Sequence, residues 1–244
     1  MLVGTGQPGR SRVSGTSFRS IDALRGPTAT DLVFDELYRR IVELDLPPGT
    51  RLSEQDVARS VGVSRQPVRD AFYRLSQLGL IQIQPQRATT VSLVSEEAVL
   101  QARFVRTALE TETVRGAALR WTEADRATLE ANLAAQGRAV ETGDRIGFHD
   151  LDDAFHQAIC AASGHAFVWT LIRENKAHMD RVRWLSLPTG ARLAYEDHLR
   201  IFDALVDHDG ERAAAHMRSH LSRIIDTLAT IRQENPGMLV ELRP

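Results

Sequence analysis

The sequence contains a single cysteine, Cys160, so no disulfide can form within the chain. This scarcity fits a reducing compartment, and we expect the Cys160 thiol to serve packing. The chain also lacks an uninterrupted apolar run long enough to cross a bilayer, and it lacks the charged, apolar and small-residue series typical of a signal peptide. These absences argue against a disulfide scaffold and a membrane protein, and they predict a cytoplasmic location.

A basic excess is missing as well, because 30 Lys and Arg residues are balanced by 32 Asp and Glu residues, for a formal net charge of −2. Binding to nucleic acid therefore has to be argued from where the cations lie. Histidine is absent before residue 149, and all eight histidines lie between there and residue 220. We expect the two parts of the chain to do different chemistry.

The length and the composition along the chain predict two folded domains and two tails. A chain of 244 residues exceeds the usual size of one domain. Residues 1–28 are rich in Gly, Ser, Thr and Arg, which is typical of a disordered tail. Residues 29–94 are predicted to form a small N-terminal domain and residues 95–235 a larger helical one, with 236–244 as a C-terminal tail. The predicted fold is mainly α.

The N-terminal domain has the pattern of a winged helix-turn-helix. Apolar residues at helical spacing predict a first helix over 31–44, a capping box predicts a short second helix over 53–62, and a third helix follows over 64–79. Alternating residues then predict two strands, at 80–84 and 89–94, around a turn. This order of elements allows the third helix to enter a major groove.

The start of the third helix carries the residues expected to contact DNA. Arg65 and Arg69 lie one helical turn apart on the same face as Gln66. A guanidinium matches the O6 and N7 atoms of guanine, and the helix N-terminal amides at Ser64 favour a phosphate oxygen. The predicted DNA-binding residues are Arg51, Ser64, Arg65, Gln66, Arg69 and, at the tip of the wing, Arg87.

After Ser95 every segment has a helical pattern, so the second domain is predicted to be an all-helical bundle. The breaks between helices are expected at Gly143, at Gly164, at Pro188 with Gly190, and at Gly210. The predicted helices span residues 96–120, 123–142, 145–163, 165–186, 192–208 and 211–233.

Three histidines and a carboxylate in this domain predict a metal site. Asp152 and His156 are four residues apart and share one face of a helix, and His198 and His220 lie on the apolar stripes of two later helices. Asp153, three residues before His156, is an alternative carboxylate ligand. Nitrogen and oxygen ligands of this kind suit zinc, with nickel or manganese as alternatives, and leave positions for water or a ligand.

The stretch PPGTRLSEQDVARSVGVSRQPVRDAFYRLSQLGLI, residues 47–81, resembles the GntR family of bacterial repressors. The all-helical remainder resembles the FadR subgroup of that family, which carries an FCD effector domain. The resemblance implies that the arginines and the glutamine named above contact operator DNA. The wing departs from the family pattern, because Gln86, Arg87 and Ala88 stand where glycines are usual.

The resemblance also implies a metal and an effector pocket in the helical domain. The FCD pattern has an aspartate and a histidine on one helix, an acidic residue before a later histidine, and a histidine before a leucine. Asp197 stands at the acidic position, where the family has glutamate. Arg106 matches an arginine that the family directs toward the effector, although a salt bridge to Glu110 is an equal alternative. Arg181 is a second predicted effector-binding residue.

These observations predict a homodimeric DNA-binding transcription regulator, a repressor, that reads two operator half-sites. Its operator affinity is expected to depend on a small carboxylate metabolite bound at the metal. We do not expect an enzyme, because the sequence shows no second acid or base beside the site. A metal-sensing repressor, in which the ion itself is the effector, and a metal-dependent hydrolase are the alternatives.

Overall fold

The computed structural model describes residues 26–84 and 88–240, apart from the side chains of residues 187–189. Within these ranges the chain forms ten α-helices, one 3-10 helix and five short strands. The predicted mainly helical fold is confirmed. Arg87 and most of the predicted N-terminal tail lie outside the described residues.

The N-terminal domain combines three helices with a three-stranded sheet. Its elements are α1 (Ala29–Val42), β1 (Arg51–Leu52), α2 (Glu54–Val61), α3 (Arg65–Gln77), β2 (Ile81–Gln82) and β3 (Thr89–Val91). The sheet order is β1-β3-β2 and both pairs are antiparallel, with Thr90 opposite Arg51 on one side and opposite Gln82 on the other. The strand β1 was not predicted from the sequence, since two residues are too few to show alternation.

Local signals explain where these helices begin and end. Thr28 and Asp31 form a capping box at the start of α1, and the Ser53 hydroxyl accepts from the Asp56 amide at the start of α2. Gly62 ends α2 at a φ of +72°, a left-handed conformation that glycine adopts without steric cost. Behind the helices, a buried core is formed by Val33, Leu37, Ile41, Val68, Phe72, Leu75 and Leu80.

The second domain is a helical bundle that follows directly on the wing. Its elements are β4 (Val94–Ser95), α4 (Glu96–Arg120), α5 (Glu123–Thr142), α6 (Arg145–Ala162), α7 (Phe167–Asn175), α8 (Ala177–Val206), α9 (Gly210–Ser222), α10 (Ile224–Glu234) and β5 (Leu239–Val240). The main core joins side chains from α4, α6, α8 and α9, among them Val114, Phe155, Ile201 and Met217, all of which are fully buried.

The predicted break at Pro188 and Gly190 is wrong, because α8 runs continuously through both residues. The chain instead breaks at Lys176, between α7 and α8. Proline has no amide hydrogen, so the carbonyl of Trp184 lacks its helical partner at residue 188. Arg145 supplies a replacement, since its Nη2 donates to the Trp184 carbonyl oxygen at 2.8 Å. The helix survives because a tertiary contact satisfies the acceptor that proline leaves open.

Two further boundaries differ from the predicted ones. The segment predicted as one helix over 211–233 is divided at Arg223 into α9 and α10. Beyond α10, residues 236–238 form a 3-10 helix and β5 pairs in parallel with β4, Leu239 opposite Val94. Leu239 is buried against the helical domain, so the ordered chain extends past residue 235. In the described part of the chain, no helix is long and apolar enough to span a membrane.

Candidate metal centre and nucleic-acid interface

Asp152, His156, His198 and His220 come together in the middle of the helical domain. The helix α6 carries Asp152 and His156, while α8 carries His198 and α9 carries His220. One ligand atom from each of the four residues lies within 4.8 Å of the others. We refer to these four residues as the metal cluster. The first three are buried, and His220 is partly buried.

The chemistry of the metal cluster fits a divalent ion. The Nε2 atoms of His156 and His198 are buried and receive no hydrogen bond from any described residue. They lie 3.8 Å and 3.6 Å from carboxylate oxygens of Asp152. Buried polar atoms without partners cost free energy, and a bound cation removes that cost. Three imidazoles and one carboxylate are also ligands that zinc accepts.

The Nδ1 atom of each histidine in the metal cluster lies near the polar side chain of a residue outside the cluster. Nδ1 of His156 is 2.5 Å from Oε2 of Glu110, and Nδ1 of His198 is 2.8 Å from Oε1 of Gln136. Nδ1 of His220 is 3.5 Å from Oδ2 of Asp197. Polar partners of this kind orient metal-binding imidazoles and leave the other ring nitrogen for the ion.

Sequence reasoning did not assign Glu110, Gln136 or Asp197 as partners of the histidines. The sequence indicates Glu110 only as an ion-pair partner of Arg106, and it indicates Asp197 only through the family resemblance. Glu110 and Gln136 lie on α4 and α5, which hold none of the four cluster residues. Spacing along the chain therefore carried no signal for these two contacts.

Burial and neighbouring charges shift the pKa values of Asp152, His198 and His220. Burial by itself raises the pKa of Asp152, but the Arg183 guanidinium and then His198 hold that pKa well below its ordinary value. Burial lowers the pKa of His198 well below its usual range, and His220 lowers it further. Burial likewise lowers the pKa of His220, although Asp197 opposes the shift. An ionised carboxylate and neutral imidazoles are the forms that bind a metal.

A cavity of about 210 Å³ opens beside the metal cluster, and Asp152 and His220 form part of its wall. Three guanidinium groups also line it, together with apolar side chains from α6, α8, α9 and α10: Arg106, Arg183, Arg223, Phe148, Leu193, Leu221 and Ile224. Arg106 is buried and its Nε lies 2.5 Å from Glu110, so the alternative salt bridge is present. The same side chain nevertheless reaches the cavity wall.

Arg181 does not reach this cavity, which corrects its predicted place beside the effector. Its side chain is fully buried, and its Nη2 donates to the Ser92 carbonyl at 2.9 Å, at the junction with the winged domain. Arg183 lines the cavity instead and contacts the Asp152 carboxylate. Two residues along a helix differ in direction by about 200°, so Arg181 and Arg183 point to different surroundings.

Of the two predicted carboxylate ligands, Asp152 belongs to the metal cluster and Asp153 does not. Asp153 points to a neighbouring group of charges. Its Oδ2 lies 2.8 Å from Nζ of Lys176, and its Oδ1 accepts from Nη1 of Arg183 at 3.3 Å.

The predicted DNA-contacting residues lie on the surface of the winged domain, where the structure describes them. Arg65 and Arg69 lie in the first turns of α3, and their side chains are 61% and 59% exposed. Both guanidinium groups approach Oε2 of Glu54, at 3.3 Å and 3.4 Å. This shared carboxylate on α2 was not predicted as part of the surface. It positions two cations side by side while leaving them accessible to a duplex.

The other predicted DNA-contacting residues that the structure describes are also exposed. Gln66 is exposed and its Nε2 donates to Oδ1 of Asp70 at 2.9 Å. Arg51 is exposed on β1. Ser64 precedes α3 as its N-cap without a side-chain capping bond. Arg87 lies outside the described residues.

Comparisons with known proteins match both domains to families. Residues 29–91 match the family of bacterial regulatory proteins called the gntR family, and residues 101–223 match the FCD domain. The transcriptional repressor RspR of Escherichia coli K12 is 40% identical over 211 residues, which cover 86% of this chain and 92% of RspR. The transcriptional regulator LutR of Bacillus subtilis is 30% identical, over 78% of this chain and 97% of its own length.

Solved structures share the same architecture. McbR/YncC of Escherichia coli superposes with a TM-score of 0.73 at 25% identity, covering 85% of this chain and 99% of that structure. A GntR regulator from Rhodococcus has the same fold, with a TM-score of 0.69 at 23% identity. The two matched families and the relatives with 30–40% identity together show that the chain belongs to the GntR family of DNA-binding transcription regulators, with a C-terminal FCD domain, and is not an enzyme.

Proposed function

We propose that this regulator is a homodimeric repressor whose operator affinity is controlled by a small organic acid bound at a divalent metal ion in the FCD domain. One observation carries the proposal: one ligand atom from each of the four residues lies within 4.8 Å of the others, and the Nε2 atoms of His156 and His198 are buried without a hydrogen-bond partner among the described residues. The cluster also opens into a cavity that has three guanidinium groups on its wall.

The four cluster residues would hold the ion, and zinc is the metal that their donor atoms suit best. When bound, the cation supplies a Lewis-acidic centre with positions left for oxygen ligands. Arg106, Arg183 and Arg223 supply guanidinium donors from which a ligand carboxylate would accept hydrogen bonds. Its apolar lining favours a small carbon skeleton, and its volume of about 210 Å³ limits the size of the acid.

A second copy of the chain is the partner that best suits the exposed apolar side chains on α4 and α7. Phe104 is 74% exposed and Phe167 is 64% exposed, and Leu100 and Leu171 lie on the same two helices. The two helices contact each other. Large exposed aromatic groups favour a protein interface. A twofold axis there would present two copies of α3 to two half-sites.

Metal content and operator binding test the proposal directly. The full-length protein is expressed, a duplex is selected from a random pool, and zinc, nickel and manganese are measured in the wild type and in His198→Ala. His165→Ala, which removes an exposed histidine outside the cluster, is the control. We expect about one metal ion per chain in the wild type and in the control, and its loss in His198→Ala.

The selected duplex is then titrated with metal-loaded protein in the presence of a panel of small mono-, di- and tricarboxylates. At least one acid is expected to change the operator affinity by more than fivefold. Equal affinity with every acid would contradict effector control. If the affinity instead followed the zinc concentration alone, the ion and not an acid would be the signal. Repression is the expected outcome, in line with the name of the relative RspR.

A further inference from the structure

The first two turns of α8 contact both domains. Ala177 packs into the hydrophobic core of the winged domain. Nδ1 of His178 accepts from the Ser95 amide at 3.2 Å, and Arg181 donates to the Ser92 carbonyl. These contacts attach the beginning of α8 to the wing and its connector. The same helix contributes His198 to the metal cluster farther along. One helix therefore joins the metal cluster to the DNA-binding domain.

Asp180 is a carboxylate through which α8 contacts the winged domain. It is buried, and its Oδ2 accepts from the Tyr38 hydroxyl at 3.3 Å and from Nζ of Lys176 at 2.6 Å. Its other oxygen accepts from Nη1 of Arg183 at 3.2 Å. Tyr38 belongs to α1, so one of these three bonds joins the helical domain to the winged domain. That bond is also the longest of the three.

Arg183 connects Asp180 to the metal cluster. Its Nη2 contacts the Asp152 carboxylate, while its Nη1 lies near both Asp153 and Asp180. Asp152 is the one carboxylate in the metal cluster. The Arg183 guanidinium and a bound metal ion would therefore compete for the Asp152 carboxylate. The group around Arg183 holds three carboxylates and two cations, since Lys176 bridges Asp153 and Asp180.

We propose that Arg183, Asp180 and Tyr38 form a relay that transmits the occupancy of the metal cluster to the docking of α1. This inference rests on the proposed function and adds the residues through which regulation acts. When Asp152 becomes a metal ligand, Arg183 loses part of its anionic partner and experiences repulsion from the bound charge. Arg183 then shifts toward Asp180 and draws Oδ1 with it, so that the carboxylate turns and Oδ2 moves away from the Tyr38 hydroxyl. Tyr38 loses its bond, and α1 loosens from α8.

An acid in the cavity acts on the same guanidinium in the opposite direction. Arg183 lines the cavity, so a ligand carboxylate offers it a new partner on the side away from Asp180. Drawn into the cavity, Arg183 releases Asp180, which again accepts from Tyr38. Lys176 stays bound to Asp180 in both arrangements, so the buried carboxylate is never left without a cation. The protein with metal alone and the protein with metal and acid therefore differ in how firmly α1 of the winged domain is held against α8.

Zinc alone is a sufficient probe, because the relay predicts a response before any acid is known. Amide hydrogen exchange of α1 is measured in the full-length protein with and without Zn²⁺, and the zinc affinity is measured by chelator competition. Tyr38→Phe removes only the hydroxyl that contacts Asp180. Tyr73→Phe is the matched control, because Tyr73 is an exposed tyrosine on α3 of the same domain.

In the wild type, zinc is expected to speed the exchange of α1 by roughly tenfold. In Tyr38→Phe the exchange should already be fast without zinc and should change less than twofold when zinc is added. Because coupling is reciprocal, Tyr38→Phe should also bind zinc more tightly, by up to about tenfold. A purely structural role of the hydroxyl would lower stability without raising metal affinity.

The outcomes separate the relay from the metal site on which it rests. Zinc binding with unchanged α1 exchange in the wild type would overturn the relay and leave the metal site intact. So would an equal zinc response in Tyr38→Phe and the wild type. A wild-type protein that binds no zinc would overturn the metal site and the relay together. The Tyr73→Phe control must behave as the wild type in both measurements.

Discussion

Oε2 of Glu110 lies 2.5 Å from Nδ1 of His156, inside the helical domain and away from solvent. The same carboxylate pairs with Arg106 on the cavity wall. Burial by itself raises the pKa of Glu110, but Arg106 and then His156 hold that pKa below its ordinary value. Glu110 is therefore an ionised partner that orients a metal ligand and an effector-facing arginine at once.

Replacing Glu110 by glutamine should weaken metal binding by roughly 10- to 100-fold, because the imidazole of His156 loses its anionic partner. Chelator competition with zinc measures the change. Glu112→Gln is the control, since Glu112 lies two residues away on α4 with a side chain that is 77% exposed. Equal zinc affinities in the two variants would rule out the orienting role.

Replacing Arg65 and Arg69 together by alanine should abolish sequence-selective binding without loss of folding. Each bidentate contact to guanine contributes about 1–3 kcal/mol of discrimination, so each arginine is expected to change selectivity by roughly 5- to 150-fold. Fluorescence anisotropy with the selected duplex and a scrambled one measures the ratio. Arg59→Ala, on α2 and 70% exposed, is the control for loss of a surface cation. Retained selectivity in the double variant would remove α3 as the reading helix.

The stability of the protein should fall when the pH is lowered from 6.5 toward 4, in part because of His178. Burial and then Arg181 lower the pKa of His178 from 6.5 to about 4. The unfolded chain consequently binds more protons than the folded chain between these values. The contribution of His178 is complete above pH 6.5 and is lost as the pH falls through 4, for a total of about 3 kcal/mol.

Chemical denaturation at pH 7, 5.5 and 4 measures that loss. In His178→Gln the free energy of unfolding should decrease less steeply with acid than in the wild type. His165→Gln, at an exposed position, should keep the wild-type slope. An unchanged slope in His178→Gln would show that other groups cause the acid sensitivity.

Gly79→Ala should destabilise the protein more than Gly62→Ala. Both glycines have a left-handed backbone, with φ of +69° and +72°, where any other residue costs roughly 1–2 kcal/mol. A Cβ at residue 79 would lie 3.0 Å from Nε2 of His178, whereas no described atom lies within 4 Å of one at residue 62. Denaturant midpoints of the two variants measure the difference, and equal midpoints would contradict a tight contact between Gly79, in the turn after α3, and His178 on α8.

Much of the winged domain could be predicted because its signals are local. Ser53 and Thr28 cap helices through amides three residues away, and Gly62 ends α2 through its own backbone conformation. The grouping of Asp152 with His156 is equally local, since four residues make one helical turn. His198 and His220 could be placed on inward faces from their apolar neighbours.

The continuity of α8 through Pro188 could not be predicted, because a residue distant in the sequence supports it. In the interior of a helix, Pro188 removes one hydrogen bond, and Arg145 satisfies the Trp184 carbonyl that is left without its partner. Which of Arg181 and Arg183 faces the cavity could not be predicted either. Both are basic and close together, and the direction in which α8 packs decides which of them faces the cavity.

The sequence by itself determined the order of elements, the exposed arginines of α3 and the residue types that can bind a metal, because periodicity and capping depend on neighbours along the chain. Only the tertiary structure decided which atoms meet. Glu110 and Gln136 come from helices that hold no cluster residue, and Asp180 meets Tyr38 across 142 positions. Such distances follow from how helices pack against one another, and packing depends on the shape of the whole core.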